Sequence, residues 1–235
     1  MQSFNIYKDI SERTGGDIYI GVVGPVRTGK STFIKRFMDM LVLPNLDDSH
    51  EKERVVDELP QSSAGKTIMT TQPKFVPNEA VKIRINNEAE MNVRMVDSVG
   101  YMVDGAMGYL EDNAPRMVTT PWFDYDIPFE EAAEIGTRKV IADHSTIGIV
   151  MTTDGSITEI PRSSYVQAEE CVVRELWELG KPFIVILNSA TPNSEDTIRL
   201  RSAMEDKYQV PVLLMDIMRL TEADIKAMLE NLLYE

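Results

Sequence analysis

Eight residues, Gly24-Pro-Val-Arg27-Thr28-Gly29-Lys30-Ser31, carry the spacing G-x-x-x-x-G-K-[ST] between an apolar run, Ile18 to Val23, and an amphipathic stretch beginning at Thr32. Such a loop, leaving a buried strand and opening a helix, aims successive backbone N–H groups and the positive helix end at one point, where a polyphosphate sits. The glycines permit a backbone approach that a Cβ blocks, Lys30 supplies a point charge for the terminal phosphates, and the Ser31 hydroxyl is a ligand for Mg²⁺. Gly24, Arg27, Thr28, Gly29, Lys30, Ser31 and Thr32 are therefore assigned to nucleotide binding, with Lys30 also catalytic.

A second constellation, Met95-Val-Asp97-Ser-Val-Gly100, ends another apolar run. A carboxylate there holds Mg²⁺ beside the phosphate loop, and the Gly100 N–H faces the terminal phosphate. Between the two lies a long polar segment closing on Thr67-Ile-Met-Thr70-Thr71. A hydroxyl or carbonyl of Thr70 or Thr71, with Thr67 in reserve, is expected to ligate Mg²⁺ and sense the γ-phosphate, so that the loop orders with nucleotide. The catalytic set is Lys30, Thr70, Thr71 and Asp97, and the metal set Ser31, Asp97 and Thr70.

This order of motifs resembles the translation-factor-related class of P-loop GTPases, in which the base is read by N-K-x-D after a later strand. Here Phe183-Ile-Val-Ile-Leu-Asn188-Ser189-Ala190-Thr191 keeps the Asn, has Ser for Lys, and has Thr for the Asp that accepts two hydrogen bonds from guanine. Asn188 and Ser189 join the nucleotide-binding set. Losing a bidentate acceptor costs guanine preference on the order of 10²-fold or more, so ATP is the expected nucleotide. Tyr101 stands directly after Gly100, where a signalling GTPase places a water-orienting Gln, so turnover is expected to be slow.

The elements that must position these groups follow from hydrophobic period. Strands are predicted over Ile18–Val23, Ile68–Val76, Val81–Ile85, Met91–Val96, Ile147–Met151, Phe183–Leu187 and Val210–Met215. Helices are predicted over Phe4–Thr14, Ser31–Leu41, Phe129–Asp143, Ser163–Leu179, Glu195–Tyr208 and Glu222–Leu233. The alternation specifies a P-loop NTPase α/β fold, a three-layer α/β/α sandwich with a mostly parallel sheet. Short connections between residues 68 and 96 force one antiparallel edge addition, because a parallel crossover needs a dozen or more residues. Pro44 to Lys66 and Ser98 to Pro128 read as two long loops, the first with a solvated acidic stretch, Asp47 to Glu51.

At 235 residues the chain suits one domain, and its net charge of −14 repels nucleic acid and anionic lipid. The absence of an 18-residue apolar run argues against direct membrane insertion, and the N-terminus lacks the pattern of a signal peptide, so a cytoplasmic setting is expected. Cys171, the single cysteine, reads as an ordinary helix-face residue, and His144 as a helix C-terminal residue.

Several longer segments extend the resemblance across the chain: Glu12-Arg-Thr-Gly-Gly-Asp-Ile-Tyr19, Glu58-Leu-Pro-Gln-Ser62, Ala64-Gly-Lys-Thr-Ile-Met-Thr-Thr71, Pro73-Lys-Phe-Val-Pro77, Pro115-Arg-Met117, Ala132 to Val140 and His144-Ser-Thr-Ile-Gly148. These resemble the stage IV sporulation protein A family of spore-coat morphogenetic ATPases. The resemblance implies ATP and Mg²⁺ as cofactors, slow ATP hydrolysis, and self-assembly into a platform on the mother-cell side of the forespore outer membrane. It further implies that regions outside this chain engage other spore coat proteins and a small amphipathic membrane peptide. Ending at Leu232-Leu-Tyr-Glu235, the chain reads as an isolated N-terminal ATPase domain. Three other readings stay open: a GTPase-like regulatory switch, a small-molecule phosphotransferase, and a structural protein with a vestigial site.

Overall fold

The computed structural model describes residues 15–60, 73–85, 89–106, 108–111 and 114–234. The central sheet has six strands: β1 (Asp17–Val23), β2 (Lys74–Ile85), β3 (Ala89–Asp97), β8 (Ile147–Thr153), β9 (Phe183–Asn188) and β10 (Val212–Met215). Their order is β10-β9-β8-β1-β3-β2, and every pairing is parallel except that of β2 with β3, so the antiparallel edge addition stands as expected. All residues of β8 and β9 are buried, because helices cover both faces of a parallel sheet and leave no solvated side to alternate against.

Alternation instead divides each strand between two cores. Ile18, Ile20 and Val22 of β1 and Ile184 and Ile186 of β9 point to one side. There they meet α1 (Lys30–Phe37), α2 (Ser49–Glu58) and α6 (Glu222–Tyr234). Val23, Val150, Val185 and Leu187 point to the other, against α3 (Phe129–His144), α4 (Arg162–Leu179) and α5 (Glu195–Tyr208). On α4 the buried set Tyr165, Ala168, Glu169, Val172, Val173 and Leu176 has the three-and-four spacing of one helix face, and Gly180, at φ 62°, ends the helix in the left-handed region. Past Phe37, α1 runs on as a π turn over Met38–Val42, whose wider winding still buries Met38, Leu41 and Val42.

Three expectations change. The segment from Pro44 to Lys66 is not loop throughout: α2 forms in it, with the Asp48 carboxylate accepting from the N–H groups of His50 and Glu51. Those two bonds satisfy amides at the helix start, which the acidic composition of the stretch concealed. The runs Ile68–Val76 and Val81–Ile85 are not separate strands where described, since β2 passes through both. Residues 77–80 bulge opposite Arg94, between the pairs Val76–Met95 and Val81–Val93, and Asn78 N–H donates to Glu58 Oε2 at 2.8 Å. The segment from Ser98 to Pro128 carries two small ladders, β4 (Leu110–Glu111) with β5 (Ala114–Pro115) and β6 (Met117–Val118) with β7 (Ile127–Pro128). The predicted helix Phe4–Thr14 lies outside the described residues. No helix among the described residues is long and apolar enough to cross a membrane.

One buried polar network ties the second core together. Glu169, fully buried on α4, accepts from Arg162 at 2.5 and 2.8 Å, from Thr152 of β8 at 2.5 Å and from Tyr208 of α5 at 2.5 Å. Removing one member of a buried pair strands the other charge. Glu169→Ala is therefore expected to destabilise the domain by about 3–5 kcal/mol, read from the urea unfolding midpoint. Glu170→Ala, which breaks only the exposed pair with Lys207, should move it little.

Candidate nucleotide-binding site

Where β1 ends, the chain turns at Gly24, whose φ is 134° and where a Cβ would stand 2.1 Å from the Met151 carbonyl oxygen of β8. Nothing larger than glycine fits that approach. The loop is closed by the buried Thr28 hydroxyl, which donates to Pro25 O at 2.9 Å, and the helix begins as Phe33 N–H donates to Gly29 O at 2.8 Å. Arg27 adopts a φ of 61°, a left-handed non-glycine residue at the crest of the loop, and Thr32 lies half-buried in the first turn of α1.

Lys30 is 5% exposed, and its ammonium turns back into the loop, donating to Pro25 O at 2.7 Å and Gly24 O at 3.3 Å. Burial lowers its pKa to about 8, against the pull of the Asp97 carboxylate. A buried ammonium held by neutral carbonyls is a site that a phosphate improves. Beside it, Ser31 Oγ donates to Asp97 Oδ2 at 2.5 Å, across a β1–β3 register that sets Val22 opposite Asp97. Burial raises the Asp97 pKa, opposed by the Ser31 hydrogen bond and by Lys30 and Lys74. Among the described residues Asp97 Oδ1, which is buried, has no hydrogen-bond partner. A hydroxyl and a carboxylate with a vacant lone pair suit Mg²⁺, which takes one or two protein oxygens and completes its shell from phosphate and water. Among the described residues no group of three or more His, Cys, Asp or Glu forms a self-sufficient metal cage.

Gly100 closes the other wall. At φ 97°, a Cβ there would sit 2.4 Å from Gly24 O and 2.5 Å from Lys30 Nζ. The next residue pairs with the phosphate loop itself: Val26 N–H donates to Tyr101 O at 2.9 Å, and Tyr101 N–H to Gly24 O at 3.3 Å. The Tyr101 side chain turns into the core between the sheet, α3 and α4, 4% exposed, its phenol pKa raised by burial and then by Glu175. It is an anchor for the loop rather than a group that faces attacking water. Thr67, Thr70 and Thr71 lie outside the described residues.

On the opposite flank, Asn188 Nδ2 donates to Thr28 O at 3.0 Å, while its Oδ1 accepts from Ile217 N–H at 3.2 Å. Both ends of this amide clamp the phosphate loop to the loop after β10. Ser189 is fully buried and donates to Asp154 Oδ2 at 2.6 Å. Asp154 escaped the sequence reading, although Thr-Thr-Asp-Gly after an apolar strand is a turn signal. Burial pushes its carboxyl up, but hydrogen bonds from Ser156, Ser189 and Thr197 hold its pKa below the ordinary value. Past these residues a cavity of about 530 Å³ opens at the ends of β9 and β10, lined by residues 190–194 and by Leu214, Asp216, Arg219 and Asp224.

His144 ends α3 as expected, its ring edge-on to Phe75 at 5.1 Å, and Cys171 is a half-buried residue of α4. In the second long loop Trp122 sits 5.9 Å from Lys139 Nζ and Phe123 5.3 Å from Tyr125, and Tyr125 itself is exposed.

The pKa of Lys30 falls from 10.5 to about 8 on folding, so between those values the unfolded chain binds more protons. Rising pH across that window relieves the burial penalty and stabilises the fold, whereas below it both states are charged and the full penalty remains. The same loss of charge weakens a phosphate site. Triphosphate affinity should fall above pH 8 by up to about tenfold per unit, with proton uptake on binding, measured by calorimetry in buffers of different ionisation enthalpy. Gly100→Ala, which adds left-handed strain on the order of 1–3 kcal/mol to a clash with Lys30, should abolish nucleotide binding in a fluorescent-nucleotide titration.

With this geometry in view, comparison with known proteins gives a consistent answer. The chain matches the family described as Stage IV sporulation protein A, ATPase domain, over residues 1–235. It is 57% identical over 235 residues to Stage IV sporulation protein A of Bacillus anthracis, covering 100% of this chain and 48% of that protein. The namesake from Bacillus subtilis (strain 168) is 56% identical with the same coverage, and that from Clostridioides difficile (strain 630) 58% identical over 231 residues, 98% of this chain and 47% of the relative. The chain thus spans about half the length of the curated relatives it matches. Among solved structures, the crystal structure of an SsGBP mutation variant superposes with a TM-score of 0.50 at 15% identity, covering 95% of this chain and 57% of the other, a likeness that concerns the fold alone. From the phosphate loop and its flanking carboxylate to the full-length family match, the observations agree that this chain belongs to the Stage IV sporulation protein A ATPase-domain family.

Proposed function

We propose that this domain binds Mg²⁺–ATP, hydrolyses it slowly to ADP and phosphate, and uses the cycle to change conformation and self-assemble within the basement layer of a spore coat. The observation that carries the nucleotide half is the buried Lys30 ammonium, held by two carbonyls beside a Ser31–Asp97 pair whose second carboxylate oxygen is buried without a partner among the described residues. Lys30 and the loop amides hold the β- and γ-phosphates, while Ser31 and Asp97 hold the metal. Bound Mg²⁺ supplies charge neutralisation across the phosphate oxygens. Gly100 offers its N–H to the γ-phosphate, and the Pro25–Tyr101 bridge links that contact to the segment from Ser98 onward. Thr70 and Thr71 orient the water or complete the metal shell.

The assembly half rests on this coupling and on family membership. Lys30 leaves its carbonyl partners when phosphate enters, and the two hydrogen bonds between Tyr101 and the loop carry the change into the segment that begins at Ser98. The platform forms on the mother-cell face of the forespore membrane, and the contacts with other coat proteins and a small amphipathic membrane peptide are made by regions outside this chain. The Thr191 position, which lacks the carboxylate that guanine requires, favours ATP.

Single-turnover hydrolysis of ATP and GTP with Mg²⁺ tests the proposal on the parent, Lys30→Ala and a Thr70→Ala/Thr71→Ala double variant. Slow turnover that prefers ATP and is lost in both variants is expected. Equal use of GTP would restore the regulatory-switch reading, and activity indifferent to Lys30 would end the mechanism.

A further inference from the structure

The site as described leaves open what reads the base. On the ATP reading the phosphates lie against the loop between β1 and α1, and Asp97, level with Val22 across the β1–β3 pairing, marks the γ-phosphate end. The sheet order then sends the nucleoside the other way, across β8 toward β9 and β10, where the Asn188 clamp touches the phosphate loop and the cavity of about 530 Å³ opens. A volume of this size, at the carboxyl ends of parallel strands, suits a purine.

Several main-chain amides on and beside the wall of that cavity already have partners inside the protein. In the loop after β10, Ile217 N–H is spent on Asn188 Oδ1, Met218 N–H on Asp216 Oδ1 at 3.0 Å, and Arg219 N–H on Asp216 O at 2.9 Å. On the facing loop, Ser189 N–H goes to Met215 O, Ala190 N–H to Ser156 Oγ, Thr191 N–H to Ser189 Oγ and Ser194 N–H to Thr191 O. These seven main-chain amides are therefore already committed inside the protein. What Asp216 presents is a carboxylate, 17% exposed in its side chain, with Oδ2 only loosely paired to the Arg219 guanidinium at 3.6 Å. Arg219 itself is largely exposed and the Asp224 carboxylate caps the turn at Thr221.

Adenine and guanine differ most at position 6, where adenine carries an amino donor and guanine a carbonyl acceptor. A carboxylate set against position 6 accepts from the amine of adenine and repels the carbonyl of guanine, whereas the same group set against the N1 and N2 donors of guanine would hold that base, so the edge it faces decides the selection. We infer that Asp216 is the specificity-determining residue of this site, its carboxylate accepting from the exocyclic amine of adenine. The inference rests on the ATP reading above and adds the group that selects the base.

Asp216→Asn separates selection from folding, because an asparagine oxygen can still accept from Met218 N–H while its NH₂ replaces the acceptor facing the cavity. A second variant, Asp216→Ser, keeps a capping oxygen and removes the charge. Displacement of a fluorescent ATP analogue by ATP, GTP and purine riboside triphosphate, which lacks the 6-amino group, reads the effect. The parent is expected to favour ATP over purine riboside triphosphate by about 10–100-fold, the range of one charge-assisted hydrogen bond. In Asp216→Asn that gap should close and GTP should gain on ATP, and Asp216→Ser should close the gap without the gain. If the parent binds ATP but the ratios are the same in all three proteins, Asp216 does not read the base. Failure of the parent to bind any triphosphate would instead overturn the nucleotide reading itself, and this inference with it.

Discussion

A positive charge buried before its counter-charge arrives is the constraint around which this domain is built. Keeping the Lys30 ammonium out of water costs free energy, visible in its lowered pKa, and the fold offsets that cost with the carbonyls of Gly24 and Pro25 and the nearby Asp97. Each of those groups is placed by something further away. The two carbonyls face the ammonium because Gly24 turns against Met151, and Asp97 is level with the loop because β3 pairs with β1 in register. Gly100 completes the enclosure at a distance no side chain would tolerate.

The phosphate loop is consequently not a free flap. It is bonded on one side to Tyr101 and on the other to Asn188. The two flanks differ in character. Toward β3 the contacts are a pair of backbone hydrogen bonds and a hydroxyl–carboxylate bond beside an unsatisfied oxygen, an arrangement that phosphate and metal would rearrange. Toward β9 and β10 nearly every polar group already has a partner: the Asn188 amide, the Asp154 hub and the fully buried Glu169 behind it. Satisfied networks are rigid, because each member loses a bond by moving. One flank thus keeps groups whose bonds a ligand can rearrange, and the other is held by bonds already made.

Much of this was legible in the residues themselves. Apolar runs of strand length and three-to-four periodicity marked the sheet strands, apart from the division of β2 into two, and five of the described helices, since burial leaves those patterns whatever the partner. The glycine-lysine-serine spacing and the Asp97–Gly100 step announced phosphate and metal chemistry, because backbone geometry and ligand type restrict what those positions accept. Helix α2 was missed because its acidic sequence looked solvated, and only the Asp48 bonds at its start reveal what offsets that composition.

Tertiary structure decided what no spacing encodes: which groups are spent and which remain free. Tyr101 read as a gap in the hydrolytic machinery until its side chain was found in the core with its backbone holding the phosphate loop. Asn188 carried a base-reading signature, yet both ends of its amide are used to join two loops distant in sequence. Asp216 had no motif at all, and only the fold sets its carboxylate on the cavity wall beside Arg219. The physical reason is common to all three cases. A residue type fixes how many hydrogen bonds a group can make, whereas the fold alone determines how many of them are left for a ligand.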